Sequence, residues 1–386
     1  MDFAFELSED QRALRQTLRE FAEAEIAPHA AEWDRTGTFP AQTVRKLGEL
    51  GVMGLAFPEQ YSGLGAGALS FAVALEELAR VDSSVAITVA ASVSLGGVPI
   101  LQFGSEAQKQ KWLVPLARGE TIGAFASTEP GMGSDVQGLS TTAREDGAGW
   151  VINGTKAYIT NAGTELSSFV TTTAITGERS PGRPEVSTLI VPVDAPGFEP
   201  QKPYAKMGWH ASDTRELVYA DCRVPAEAML GERGAGARVF LATLDVGRIG
   251  VAAMGVGLAQ GCLDHSVAWA NQRCAFGQPI AKYQAVSFEL AELKARIDAA
   301  RGMVFRAAAL KDAGKPVTEA AAAAKLMASE LAVHAANVAM QVHGGYGYME
   351  ESAIPRFYRD AKILTIGEGT SEILKLVIAR QMGLSV

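Results

Sequence analysis

Residues that build metal centres and disulfide frameworks are scarce in this sequence. Its three cysteines, Cys222, Cys262 and Cys274, form no CxxC pair, and its five histidines lack the spacing of a metal site. We therefore predict that the protein binds no metal, forms no disulfide and works in the reducing cytoplasm. A hydrolase also has little support, because there is no G-x-S-x-G element and no triad-like cluster.

Basic clusters and a leader segment are missing as well. Acidic residues outnumber basic ones by 43 to 35, whereas binding to nucleic acid needs clustered Lys and Arg, so we expect no nucleic-acid partner. The N-terminal MDFAFELSEDQ has no basic segment followed by an apolar one, which argues against a secretory signal. Residues 83–105 are uncharged, but their Gly, Pro, Ser and Thr content favours a buried helix over membrane insertion.

The chain is nevertheless rich enough in apolar residues to build large cores. With 48% hydrophobic and 20% charged residues in 386 positions, we predict a soluble protein of more than one domain. The first third has helical periodicity. Ser8 and Gln11 form a capping box that opens a helix, which Pro28 is predicted to end, and Ser105 with Gln108 forms a second box.

The texture changes to short β-prone runs at about Gly123 and returns to long Ala-rich segments at Gly234. We predict strands at 169–175, 187–193 and 216–224, and a hairpin in which Asn153-Gly154 joins strands 150–152 and 156–160. Breaks near 277–279, 314–316 and 344–345 predict four antiparallel helices and a short last one. The predicted α+β fold has three domains: an N-terminal helical domain (1–122), a middle antiparallel β domain (123–231) and a C-terminal four-helix bundle (232–386).

A dinucleotide-binding motif of the Rossmann type is not supported. Gly63, Gly65 and Gly67 lie in a loop of the helical third, without the preceding strand that such a motif requires.

Seven small-residue segments carry the Thr, Ser, Glu and Arg residues that could perform chemistry. They are ASTEPGMGSD (126–135), YITN (158–161), KMGWHASDT (206–214), LDVGR (244–248), RCAFG (273–277), QVHGG (341–345) and IGEGTSEI (366–373). Through these segments, and along nearly its whole length, the sequence resembles the acyl-CoA dehydrogenase family, most closely the short-chain branch. The resemblance implies the fold of that family, FAD as cofactor and an acyl-CoA substrate. Ser127 and Met132 depart from the usual pattern of the first segment.

The resemblance also implies where the flavin binds. Thr128 would hydrogen-bond the isoalloxazine ring, Ser134 would lie near the pyrophosphate, and the Thr160 hydroxyl would lie against flavin N5. Donors at these positions suit a ring that gathers charge on reduction. The cofactor residues implied in this way are Phe125, Thr128, Gly133, Ser134, Tyr158, Thr160, Arg273, Phe276, Gln284, Gln341, Gly344, Gly345, Thr370 and Glu372.

By the same resemblance, Glu368 is the base that removes the α-proton of the acyl thioester. Gly247 stands where the long-chain and isovaleryl branches carry their catalytic Glu. We expect burial to raise the pKa of Glu368, which suits a base that works near neutrality. The implied substrate residues are Ser134, Asp245, Arg248 and Gly369. Two simpler interpretations remain: Glu368 as a turn residue before a helix capped by Thr370, and Asp245 with Arg248 as a surface ion pair.

The activity that the resemblance implies is FAD-dependent α,β-dehydrogenation of a short or branched acyl-CoA to the 2-enoyl-CoA. Electrons would pass to electron-transfer flavoprotein, and FAD contacts shared across a subunit interface imply a homotetramer. A flavin oxidase, a monooxygenase or an enoyl-thioester reductase on the same fold remains an alternative, as does an acyl-CoA-binding protein with a dead site. Gly367 replaces a Tyr found in many relatives, and Ala86 an Arg of glutaryl-specific relatives, so branched chains are favoured over dicarboxylic ones.

Overall fold

The computed structural model describes residues 6–147 and 149–385, so the predicted domain limits at residues 1 and 386 lie outside the described part. Both predicted capping boxes are present, since Ser8 and Ser105 each accept a hydrogen bond from the third residue of the helix that follows. The N-terminal helices are α1 (Glu9–Phe21), α2 (Ala27–Thr36), α3 (Ala41–Glu49), α4 (Gly67–Val81), α5 (Ser83–Ala90), α6 (Val98–Phe103) and α7 (Glu106–Ala117).

Pro28 does not end the first helical run, contrary to the prediction. A π-helical turn at Ala22–Ile26 connects α1 to α2, and Pro28 lies in the first turn of α2. The missing N–H of a proline costs no intrahelical hydrogen bond at that position. The run ends instead after Thr36, where Gly37 adopts the left-handed conformation with φ 67°.

The middle region folds into a seven-stranded sheet with the order β1-β4-β2-β3-β7-β6, in which β5 also pairs with β4. Its pairs are antiparallel, except that β4 runs parallel to β1 and, through a single residue pair, to β2. The three strands predicted between 169 and 224 are present and longer than predicted. The strands are β1 (Ile122–Ala126), β2 (Thr142–Glu145), β3 (Gly149–Thr160), β4 (Ser167–Ser180), β5 (Arg183–Pro192), β6 (Phe198–Pro203) and β7 (Thr214–Pro225).

The predicted hairpin at Asn153-Gly154 is wrong, because β3 runs unbroken through both residues. The pairing of β3 with β7 shifts between Ile152 and Gly154, so the dipeptide forms an irregularity within the strand rather than a turn. The Asn153 side-chain amide donates a hydrogen bond to the Asp221 carboxylate on β7 and accepts one from the Asp221 backbone N–H. A Cβ at Gly154 would lie 2.7 Å from the Cα of Thr141, so glycine allows this close approach.

Helices return at Gly236, and the predicted breaks near 277, 314 and 344 are where successive helices end. The C-terminal part also contains a short hairpin of β8 (Cys274–Ala275) and β9 (Gln278–Pro279). Its three long helices precede two short ones, and residue 368 lies in the connection between those two. They are α8 (Gly236–Gln272), α9 (Gln284–Asp312), α10 (Thr318–His343), α11 (Ile354–Ala361) and α12 (Ser371–Gln381).

The N-terminal and C-terminal helices share one hydrophobic core, which includes Leu75 of α4, Met254 of α8 and Ala335 of α10, and the sheet has a second core. Two helical stretches, Ser83–Phe103 and Gly236–Gln272, are long and apolar enough to cross a membrane. Inside the protein, however, 89% and 72% of their most apolar windows are buried. A core helix passes the same test, which agrees with the buried helix expected at 83–105.

Candidate active site

Glu368 lies in the tight connection that leads into α12. Its φ is 57° and that of Gly369 is 96°, two consecutive left-handed residues of which only the glycine is free of strain. Thr370 then caps α12 by accepting a hydrogen bond from the backbone N–H of Ile373, as predicted. The residue as a whole is only partly covered, but its Oε2 atom is buried and has no hydrogen-bond partner among the described residues.

The Glu368 carboxylate faces α8 at a glycine. A Cβ built on Gly247 would lie 2.6 Å from Oε2 of Glu368 and 2.8 Å from Cδ2 of Leu95, closer than atoms can pack. A side chain at 247 and the carboxylate of Glu368 therefore compete for one space. This is the position at which the resemblance placed the base of other branches, and here it is left free for Glu368.

Two buried cations lie beside this carboxylate. Arg248, only 4% exposed, has its Nε 3.5 Å from the backbone oxygen of Glu368, and Lys325 on α10 donates a hydrogen bond of 2.7 Å to the backbone oxygen of Gly369. Burial raises the pKa of Glu368 to about 7, and the positive charges of Lys325 and Arg248 partly offset that rise. A turn residue in solvent would have neither this burial nor these partners.

Asp245 and Arg248 form the ion pair that the simpler interpretation expected, with Oδ1 and Nη1 3.5 Å apart. The pair is not on the surface, because Arg248 is buried and extends to the loop of Glu368. Asp245 also accepts a 2.7 Å hydrogen bond from the Thr318 hydroxyl of α10. The pair therefore connects α8, α10 and the loop that carries the candidate base.

A buried ion pair supports the segment 126–135. Glu129, 3% exposed, accepts hydrogen bonds from the backbone of Ser140 and Thr141, from the Ser140 hydroxyl and, at 2.9 Å, from Nζ of the fully buried Lys156. Burial opposes its ionisation, but these donors hold the pKa of Glu129 down at about 2. The loop above keeps free space: a Cβ at Gly133 would have no atom within 4 Å.

Backbone and ring contacts bring together the predicted residues around the flavin ring. The backbone oxygen of Thr128 accepts a 2.9 Å hydrogen bond from the backbone N–H of Ala157, which precedes Tyr158 and Thr160 on β3. Phe125 of β1 stacks on Phe240 of α8, with ring centroids 6.3 Å apart. Phe240 precedes Gly247 by seven residues, two turns or about 10 Å of helix. Phe125 and Glu368 are therefore beside the same face of α8.

A second group of predicted cofactor residues lies at the other end of α8. Arg273, Gly344 and Gly345 line one cavity of about 540 Å³ together with Trp269, His343 and Tyr346. The neighbouring members are Gln341 in the last turn of α10, Gln284 at the start of α9 and Phe276, whose side chain is 97% exposed. Arg273 follows Phe240 by 33 residues, about 50 Å along α8. Within one chain, the structure does not join this group to the first.

Four residues of the site were missed from the sequence: Leu95, Glu129, Lys156 and Lys325. Glu129 lies inside one of the seven segments named above, and Lys156 and Lys325 are single charged residues in otherwise uncharged stretches, which is a usable signal. Their partners are distant in sequence, so the signal does not identify the partners.

Ser134 and Glu372 are both exposed, and Glu372 lies in the first turn of α12. No cluster of three or more metal-ligating residues occurs within 6–147 and 149–385.

The residues present fit FAD: the open glycine loop after Thr128 suits a close approach of the ring, and Arg273 in a cavity suits a diphosphate. The family models of acyl-CoA dehydrogenases match the chain in three parts, the N-terminal domain at residues 8–120, the middle domain at 124–222 and the C-terminal domain at 234–383.

Individual proteins match over the whole chain. A probable acyl-CoA dehydrogenase of Bacillus subtilis is 50% identical over 98% of this chain and 99% of its own. The structure of butyryl-CoA dehydrogenase from Megasphaera elsdenii is 42% identical, with a TM-score of 0.95 over 99% of this chain and 100% of that one. A chain in the structure of the electron transferring flavoprotein of Acidaminococcus fermentans gives the same identity and TM-score over 99% of both chains. The chain therefore belongs to the acyl-CoA dehydrogenase family of FAD-dependent enzymes.

Proposed function

We propose that the protein desaturates a short or branched acyl-CoA to the 2-enoyl-CoA, with Glu368 as the base that removes the α-proton. The observation that carries this proposal is the buried Oε2 atom of Glu368, which has no partner among the described residues and faces the space left by Gly247. A buried carboxylate oxygen without a partner is costly. It is suited to accept a proton from a substrate that displaces water from the site.

The surrounding residues set the state of this base. Burial raises the pKa of Glu368 to about 7, so Glu368 is ionised in about half of the molecules at neutral pH. A carboxylate with this raised pKa is also a stronger base toward the α-proton than one in water. Arg248 and Lys325 hold the two backbone oxygens of the loop and supply positive charge. The chemistry that bound FAD contributes is acceptance of the β-hydride. Thr128 and Thr160 are the proposed hydroxyls that orient the ring, and Ser134, Asp245, Arg248 and Gly369 the proposed substrate contacts.

We propose a short or branched chain on the strength of the space around Gly367. A Cβ there would meet only the Ile363 backbone oxygen, at 3.7 Å, so the glycine leaves room beside the base. Ala86 is fully buried and supplies no cation for a dicarboxylic chain. The match to a butyryl-CoA dehydrogenase points in the same direction. Substitution Gly367→Tyr is expected to lower activity on isobutyryl-CoA more than on butyryl-CoA, and an unchanged ratio would contradict this choice.

We also propose a homotetramer that passes electrons to electron-transfer flavoprotein. The separation of about 50 Å along α8 between the two groups of cofactor residues is too long for one dinucleotide. Arg273, Gly344 and Gly345 would therefore serve an FAD whose ring lies in a neighbouring subunit. The likeness to a chain in an electron transferring flavoprotein structure supports the electron partner. The three free cysteines support the cytoplasmic setting.

The deciding experiment is an anaerobic titration of the purified yellow enzyme with butyryl-, isobutyryl- and glutaryl-CoA. We expect the first two to bleach the flavin absorbance and the third to have little effect. Retained FAD that no acyl-CoA bleaches would instead indicate an acyl-CoA-binding protein with a dead site. An oxygen pulse after bleaching separates the flavin oxidase alternative, because only an oxidase would recover its absorbance within seconds and release peroxide.

A further inference from the structure

Lys325 is a lysine with no exposed surface in the middle of α10. A buried ammonium is costly unless it is paired, yet no carboxylate lies within ion-pair distance of Lys325 in the described residues. Its ammonium donates a hydrogen bond of 2.7 Å to the backbone oxygen of Gly369. The cation therefore serves the loop of the proposed base and not a partner on its own helix.

Three contacts fix the loop of Glu368 and the first residue of α12. Arg248 of α8 approaches the Glu368 oxygen at 3.5 Å, Lys325 holds the Gly369 oxygen, and the Ser371 hydroxyl donates to Glu330 of α10 at 2.5 Å. Glu368 has a left-handed φ of 57°, a strained conformation for a residue with a side chain, which persists only where surrounding contacts hold it. Lys325 holds the backbone of the residue that follows, Gly369.

The charges around Glu368 are unequal in their effect. Arg248 faces it from α8, but Asp245 lies 3.5 Å from the guanidinium and offsets its charge. Lys325 faces it from α10, whose Glu330 carboxylate accepts a hydrogen bond from the Ser371 hydroxyl. Lys325 is the strongest of the charges that counter the effect of burial on the pKa of Glu368, ahead of Arg248.

We propose that Lys325 is a positioning residue for the base: its ammonium fixes the Gly369 carbonyl and keeps the adjacent Glu368 carboxylate ionised at neutral pH. This inference rests on the proposed function of Glu368. Replacement of the ammonium by an apolar group leaves the carbonyl unpaired and removes the positive charge that most counters the effect of burial, so the base should become protonated at a higher pH than in the wild type.

The test is the pH profile of kcat/KM for butyryl-CoA, measured on FAD-loaded enzyme. For Lys325→Met we expect the acid limb to move up by about one pH unit or more and the rate at pH 7 to fall about fivefold or more, with a smaller loss at pH 9. Lys325→Arg, which keeps the charge, should leave the limb within about 0.3 units of wild type. The matched control is Lys362→Met, which removes an exposed charge six residues before Glu368 and should leave the limb in place.

An acid limb of Lys325→Met at the wild-type pH, whatever the rate, would overturn the proposal, because a structural role alone does not move it. If Lys325→Met fails to fold, Lys325→Gln takes its place, since its amide can still donate to Gly369 while the charge is gone; an unmoved limb there has the same meaning. Glu368→Gln separates the two proposals. Near-normal turnover of Glu368→Gln would overturn the proposed function itself. If Glu368→Gln is inactive but the acid limb of Lys325→Met stays at the wild-type pH, only the proposed role of Lys325 is overturned.

Discussion

Two buried glutamates in this protein have opposite properties. Glu129, under the predicted flavin loop, accepts four hydrogen bonds, and these donors hold its pKa down at about 2. Glu368 has an Oε2 atom with no partner among the described residues, and burial raises its pKa to about 7. Burial alone therefore does not make a base. The difference lies in how many donors surround the carboxylate, and it separates a permanently charged structural group from one that can exchange a proton.

The largest expected effect is on turnover, from Glu368→Gln. The amide keeps the shape of the side chain but cannot accept the α-proton, so we expect the rate to fall by about 10²- to 10⁴-fold, the range for positioned acid-base catalysis. FAD content should stay at the wild-type level. The measurement is turnover of butyryl-CoA with an artificial acceptor, and Glu319→Gln, an exposed carboxylate in the first turn of α10, is the control.

Lys156→Met should have the largest effect on stability. It removes the fully buried cation and leaves the Glu129 carboxylate buried without its ion-pair partner, which we expect to cost about 3–5 kcal/mol of unfolding free energy. Urea unfolding measures this loss, with FAD release as a second readout. The control is Lys294→Met, whose ion pair with Asp298 is about half exposed. That pair should contribute less than about 1 kcal/mol; an equal loss from both variants would show that burial of the pair is unimportant.

Local signals in the sequence predicted much of this fold. The Ser8 and Ser105 boxes, the breaks after α8, α9 and α10, and the Thr370 cap depend on residues within one turn of each other, so short-range chemistry was enough. Asn153-Gly154 is a strong turn signal, yet contacts with Asp221 and Thr141 keep β3 extended there. Lys325 and Lys156 gained their roles from partners 44 and 27 residues away, a relation that no local pattern contains.

The pH dependence of stability should run in opposite directions for the two glutamates. The folded-state pKa of Glu368 is raised from 4.5 to about 7, so its contribution to stability is present below pH 4.5 and lost as the pH rises through 7. That of Glu129 is lowered to about 2, so its contribution is present above pH 4.5 and lost as the pH falls toward 2. Above pH 7 we expect Glu368→Gln to be more stable than wild type, by up to about 3 kcal/mol, and Glu129→Gln to be less stable.

Urea unfolding of both variants and the wild type between pH 4 and 8.5 tests this contrast. Parallel stability curves for wild type and Glu368→Gln across pH 4.5–7 would show that the carboxylate is solvated in the folded protein, and the proposed origin of its reactivity would fail with it.

The smallest effect concerns the space that Glu368 occupies. In Gly247→Ala the new methyl group would lie 2.6 Å from Oε2, so the carboxylate must move away from the helix. A displacement of this size is expected to lower the rate about tenfold or more while the pair of Glu129 and Lys156 is untouched. Gly302→Ala in α9, where a Cβ meets no atom within 4 Å, is the control and should keep wild-type turnover. If Gly247→Ala also does so, the carboxylate is not confined against α8, and the contrast with the tightly held Glu129 reduces to hydrogen bonding alone.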